Sequence, residues 1–261
     1  MKKMLYLLMM SIGMLFMGSC QKDEVLDLPM DGKIKLAETS LPTGEQLSVF
    51  ADKALQVGYQ NLYFQVKKNG LAVKDQPLTF APIMDMGSMA HGAPSGNLTY
   101  QSNLEAYQGF VVFTMPSGES GTWSLKVTYQ GKEVEIPVDV TAAATGNTPV
   151  KTISGNDGKK YVLALVEPSK PKMGMNDLVL MVFLRENMFS FSPVEGLALG
   201  FHPEMTSMNH GSPNNVVPVS IGKGQYQGKV NFIMTGDWRL FFDLKLGENE
   251  IAKDIYLDLL F

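Results

Sequence analysis

Thr122-Trp-Ser-Leu-Lys-Val-Thr-Tyr129 alternates Trp123, Leu125 and Val127 with Thr122, Ser124 and Lys126. A period of two sends successive side chains to opposite faces, so this stretch reads as a half-buried strand. Leu62-Tyr-Phe-Gln-Val66, Gly109-Phe-Val-Val-Phe-Thr114, Tyr161-Val-Leu-Ala-Leu-Val166 and Trp238-Arg-Leu-Phe-Phe-Asp-Leu244 have the same aromatic and β-branched character. Gly and Pro punctuate these runs, and no long segment carries a helical period. The fold class is therefore all-β, built from short antiparallel strands.

Beyond that strand, the chain repeats itself. Met86-Gly-Ser-Met-Ala-His-Gly-Ala-Pro94 matches Met205-Thr-Ser-Met-Asn-His-Gly-Ser-Pro213 at an offset of 119 residues (205 minus 86). The same offset carries Tyr107 onto Tyr226, Phe113 onto Phe232 and Met115 onto Met234. Four extra residues in the first copy then bring Gly121-Thr-Trp123-Ser-Leu125 against Gly236-Asp-Trp238-Arg-Leu240. A repeat this long decides the architecture. The expectation is two tandem immunoglobulin-like antiparallel β-sandwiches over residues 32–142 and 149–261, joined by a linker at 143–148.

The first residues read as an address. Lys2 and Lys3 precede an apolar run from Met4 to Met17, then Gly18, Ser19 and Cys20. That is the layout of a secretory signal over residues 1–19, too short for a comfortable bilayer span. Ending on Gly-Ser-Cys, it resembles the lipobox of bacterial lipoproteins, which implies cleavage before Cys20 and lipidation of that residue. Gln21-Lys22-Asp23-Glu24 is similar to the export signal of Bacteroidetes lipoproteins. The resemblance implies an outer-membrane lipoprotein, facing the cell surface or the periplasm, with residues 20–31 as lipidated Cys and tether.

Composition narrows the class of function. The net charge is −4, and −6 once Lys2 and Lys3 are removed, so a nucleic-acid partner is a poor reading. One Cys excludes an intrachain disulfide framework and a thiolate zinc site. No nucleophile elbow or phosphate-binding Gly-rich loop is present, and no His lies outside the Met-rich strings to serve a Ser-His-Asp arrangement. A non-enzymatic protein is expected.

The chain holds 18 Met and only 3 His. His91, His202 and His210 all lie within a few residues of the repeated Met-x-x-Met-x-His strings. Thioether sulfur is a soft, neutral donor suited to Cu(I), and it does not form disulfides in an oxidising compartment. No Asp or Glu repeats inside the string, which argues against Ca²⁺ and Mg²⁺. The candidate ligands are Met86, Met89, His91 and Met115 in the first copy and Met205, Met208, His210 and Met234 in the second. Met84, aligned with Pro203, and His202, aligned with Ile83, are candidate extra donors private to each copy. For Met115 and Met234, a core role and a ligand role are equally compatible with the sequence.

Met-x-x-Met-x-His-Gly-x-Pro, then Tyr-x-Gly, Phe-x-Met and Gly-x-Trp-x-Leu, resembles the YtkA-like domains, which are similar to the FixH family. The resemblance implies immunoglobulin-like domains and a role in copper handling: trafficking, buffering or acquisition. It also implies a protein partner in copper transport or oxidase assembly. The rival expectation is a structural or interaction lipoprotein without metal, accessory to an outer-membrane or respiratory-oxidase assembly complex.

Overall fold

The computed structural model describes residues 30–261. The signal segment, Cys20 and most of the tether lie outside the described residues. Packing begins at Met30, whose side chain is buried against Phe50, Tyr63 and Ala106.

The described chain is all strand and turn. The first sandwich comprises β1 (Ile34–Ser40), β2 (Gln46–Ala51), β3 (Gly58–Lys68), β4 (Leu71–Ala72), β5 (Leu78–Asp85), β6 (Ala90–Gly92), β7 (Thr99–Gln101), β8 (Ala106–Phe113), β9 (Thr122–Tyr129) and β10 (Lys132–Val138). The second comprises β11 (Val150–Ser154), β12 (Lys160–Glu167), β13 (Gly174–Arg185), β14 (Phe191–Pro193), β15 (Leu197–Met205), β16 (His210–Gly211), β17 (Val216–Gly222), β18 (Gln225–Phe232), β19 (Asp237–Leu246) and β20 (Asn249–Leu260).

In the first unit one sheet runs β1-β2-β3-β8-β7 and faces another running β10-β9-β5-β6. In the second the orders are β11-β12-β13-β18-β17 and β16-β15-β19-β20, the same path ten strands later. Setting aside the leading hairpin strand of each, these are the ABED and C′CFG sheets of the immunoglobulin fold. Every pairing between these strands is antiparallel. Local chemistry sets the connections. Tyr129 and Lys132 are joined through Gln130 (φ 48°) and Gly131 (φ 75°), the double positive φ of a tight hairpin turn.

Each sandwich has its own core. Trp123, Leu125 and Val127 of β9 point inward against Leu47, Leu62, Phe64 and Val111. Trp238, Leu240, Phe242 and Leu244 of β19 do the same in the second unit. A third apolar cluster lies between the units. Val112 of β8 and the partly buried Tyr59 and Phe110 meet Val162 and Ala164 of β12 and Met181 and Phe183 of β13. The two five-strand paths therefore pack back to back, and the molecule is a stack of four sheets. This seam covers the outer face of β13 at Met181 and Phe183 and that of β3 at Tyr59, while Tyr63 of β3 is covered by Met30 and Phe50 of its own unit.

Candidate metal centre

Register builds the same row of side chains in both sandwiches. Across β9, β5 and β6, Trp123 lies opposite Met84, and Met84 lies opposite His91. Across β19, β15 and β16, Trp238 lies opposite Met205, and Met205 lies opposite His210. Residues directly opposite in an antiparallel pair share a face of the sheet. Here the face is the inner one: Met84 is 0% and Met205 5% exposed, and both Trp are 1% exposed. The imidazoles close the row edge-on to the indoles, with centroids 5.5 Å apart for His91–Trp123 and 6.0 Å for His210–Trp238.

Met115 and Met234 close the row from beyond the end of β8 and β18. Each accepts, through its main-chain carbonyl, the indole N–H of the row: Trp123 Nε1 donates at 2.9 Å and Trp238 Nε1 at 3.0 Å. Their side chains are half-buried against the respective cores. Met89 and Met208 sit at the hairpin tips, 52% and 57% exposed. Met86 is half-buried and pairs across the tip, its N–H donating to the Met89 carbonyl at 2.9 Å.

Each imidazole is oriented in the same way. His91 Nδ1 is 2.8 Å from the Gly92 carbonyl oxygen, and His210 Nδ1 is 3.0 Å from that of Gly211. A carbonyl oxygen only accepts, so Nδ1 carries the hydrogen and donates it. In the neutral ring this leaves the lone pair on Nε2, the atom that would bind a metal.

The fold corrects the alignment between copies. The offset of 119 pairs Met86 with Met205, whereas the strand register pairs Met84 with Met205 (an offset of 121). The first hairpin, Met84 to His91, is two residues longer than the second, Met205 to His210. Met84 is therefore not private to the first copy; Met86 is the residue without a counterpart. His202 also departs from its expected place. It lies on the outer face of β15, exposed and stacked on Phe241 with centroids 4.8 Å apart, away from the Met205 row. Alternation accounts for this, because three residues along a strand reverse the face.

A carboxylate accompanies each hairpin, which the sequence string concealed. Asp85 of β5 is paired with Thr122 of β9 and accepts the Gly87 N–H at 2.8 Å. In the second copy the roles are exchanged across the strands. Asp237 of β19 accepts from the Thr206 hydroxyl and from the Ser207 N–H at 2.9 Å. Hydrogen bonds from Ser207 and Thr206 hold the Asp237 carboxyl down to about 2.

Among the described residues no three His, Cys, Asp or Glu side chains gather as a metal-binding cluster. The donors that the rows bring together are thioethers and one imidazole per copy, a set that fits a soft monovalent ion better than zinc or calcium.

Residues 156–241 match the family model described as YtkA-like. The match runs from the turn before β12 into β19 and includes Met205, Met208, His210, Met234 and Trp238. No curated protein matches the sequence. Among solved structures, the Escherichia coli adhesin FdeC is 14% identical, with 85% of this chain and 65% of that chain covered and a TM-score of 0.27. InvD of Yersinia pseudotuberculosis is 15% identical, over 79% of this chain and 53% of that chain, at 0.24. Domains 5–6 of the S-layer protein SbsC are 12% identical, over 87% and 98%, at 0.30. The chain thus spans less than two thirds of the first two structures.

Proposed function

We propose that the protein is an extracytoplasmic copper-binding lipoprotein. It is anchored to the outer membrane through Cys20 and carries one Cu(I) per sandwich for trafficking, buffering or acquisition. It acts by binding, with no catalytic step, and the two sandwiches arose by duplication. The observation that carries this reading is the twofold occurrence of one constellation: a buried Met, an indole beside it, and an imidazole whose Nδ1 is committed to a carbonyl. In the first sandwich Met84, Met86, Met115 and His91 Nε2 would hold the ion, with Met89 at the tip. In the second, Met205, Met234 and His210 Nε2 would hold it, with Met208 at the tip. Bound Cu(I) would be held as cargo, and the row would keep water from one side of it.

A Cu(I) titration of the soluble mature chain against a chromophoric chelator, under reducing conditions, tests the reading. The parent is expected to withdraw about one copper per sandwich. A variant with Met84, Met86, Met89, Met205 and Met208 changed to Leu is expected to withdraw none while keeping its fold, since Met-to-Leu exchange conserves volume. Equal binding by the two proteins, or none by the parent, refutes it.

A second reading, a lipoprotein whose work is contact with a protein partner, is favoured by one feature. The edge strand β17 exposes Val216, Val217, Val219 and Ile221, and apolar edges are places where chains associate. Under the copper reading the same edge would meet a transporter or an oxidase-assembly partner.

A further inference from the structure

The two rows are alike, but their surroundings are not. The hairpin of β5 and β6 lies at the seam, and the loop between β13 and β14 reaches across to it. The Gly92 N–H donates to the Met188 carbonyl of the second sandwich at 2.8 Å. The approach is so close that a Cβ on Gly92 would stand 3.3 Å from the Phe189 Cα. His91 then shares a cavity of about 120 Å³ with Arg185 and Phe191 of the second sandwich and with Thr114 of its own.

Arg185 is built into that place. It is paired with Phe191 across β13 and β14. Its guanidinium donates to the Asn187 carbonyl at 3.3 Å and to the Met188 thioether. Neither partner is a counter-charge. The loop that carries these groups is tied by the Asn187 side chain, which accepts from the N–H groups of Phe189 and Ser190 at 2.8 and 3.0 Å. In the second sandwich a cavity beside Trp238 is lined by Gly146, Asn147 and Thr148 of the linker and by Thr206, Asp237, Arg239 and Asp258 of its own unit. The carboxylates do not create the difference, since Asp85 and Asp237 occupy the two members of the same strand pair. Glu204, next to Met205, lies on the outer face of its sheet.

We propose that Arg185 of the second sandwich lowers the affinity of the first sandwich's row for a cation, making the two sites a graded pair in which the second holds its metal more tightly. This rests on the copper reading above. A fixed positive charge in the same small cavity as His91 opposes a cation at His91 Nε2, whereas Arg239, which follows Trp238 of the second row, is paired with the Asp258 carboxylate at 2.7 Å. The pair would load at the second sandwich first and release from the first sandwich first.

The test uses the full mature chain in two single-site forms. In one, Met205, Met208 and His210 become Leu, Leu and Gln; in the other, Met84, Met86, Met89 and His91 become Leu, Leu, Leu and Gln. Each is titrated with Cu(I) against the chelator, alone and with Arg185→Gln or Arg185→Lys. Arg185→Gln is expected to tighten the first site about tenfold, the size of effect for a unit charge several ångströms away at a partly exposed position. It should move the second site less than about twofold, and added salt should shrink the difference. Arg185→Lys keeps the charge and should leave the first site near its starting affinity. The proposal is overturned if Arg185→Gln leaves the first site unchanged, if both sites shift equally, or if Arg185→Lys tightens the first site as much as Arg185→Gln does. Failure of both single-site proteins to take copper from the chelator would instead overturn the copper reading, and the grading with it.

Discussion

Gly121→Ala should cost the first sandwich about 2–6 kcal/mol, and the equivalent Gly236→Ala should cost the second only about 1–3 kcal/mol. Both glycines stand just before the tryptophan strand, with φ of 142° and 141°. That region of backbone is almost closed to other residues and costs about 1–3 kcal/mol to occupy with a Cβ. The neighbours differ. At Gly121 a Cβ would lie 2.3 Å from the Asp85 carbonyl oxygen and 3.0 Å from its carbon. Asp85 is fixed in the ladder with Thr122, so strand β5 must move, adding about 1–3 kcal/mol. At Gly236 the Cβ would meet the Met205 Cε at 2.0 Å, the free end of a flexible side chain, which can turn aside. Each sandwich contains one of the two tryptophans. Urea unfolding followed by emission, with Trp238→Phe or Trp123→Phe as background, therefore reads each unit separately. Equal losses, or a larger loss for Gly236→Ala, would refute the argument from rigid and flexible neighbours.

Two further outcomes follow from the seam and from burial. Phe183→Ala removes a side chain 3% exposed between the sandwiches; it should cost about 3–5 kcal/mol and speed proteolysis within residues 143–148, and unchanged cleavage would show that the seam does not hold the units together. Tyr59, in the seam, and Tyr161 are pushed up to about 12, mainly by burial and, at Tyr161, also by its hydrogen bond to Asp157. A phenol raised above its unfolded value near 10 stabilises the fold below that pH and loses the contribution as pH rises from about 10 to about 12. Tyrosinate absorbance should show Tyr59 and Tyr161 among the late-titrating groups, and Tyr59→Phe with Tyr161→Phe should flatten the alkaline fall in stability.

The strands and the sandwich class were legible because alternation is a local property. In β9, Trp123, Leu125 and Val127 do point inward and Thr122 and Lys126 outward. The pairing of Met84 with Met205 was not legible. Linear matching slides the two Met-x-x-Met-x-His strings together, whereas cross-strand register depends on where each hairpin turns. His202 looked close to the cluster along the chain, but nearness in sequence says nothing of the face a strand residue takes. The seam left a readable trace. Tyr161-Val-Leu-Ala-Leu-Val166 is apolar without alternation, the mark of a strand covered on both sides. Arg185 gave no signal at all, because its position beside His91 depends on how two separate cores stack.

The exposure of the methionines divides their chemistry with oxidants. Met89 and Met208 stand in solvent at the hairpin tips, while Met84 and Met205 are enclosed by indole and sheet. Peroxide reaching the protein would convert the tip thioethers to sulfoxides before the enclosed ones, replacing a soft sulfur by a harder, polar oxygen. The enclosed thioethers would be spared. Oxidative damage would thus alter the outermost methionine of each hairpin and leave the inner Met–His pair intact, a change that methionine sulfoxide reductases can reverse.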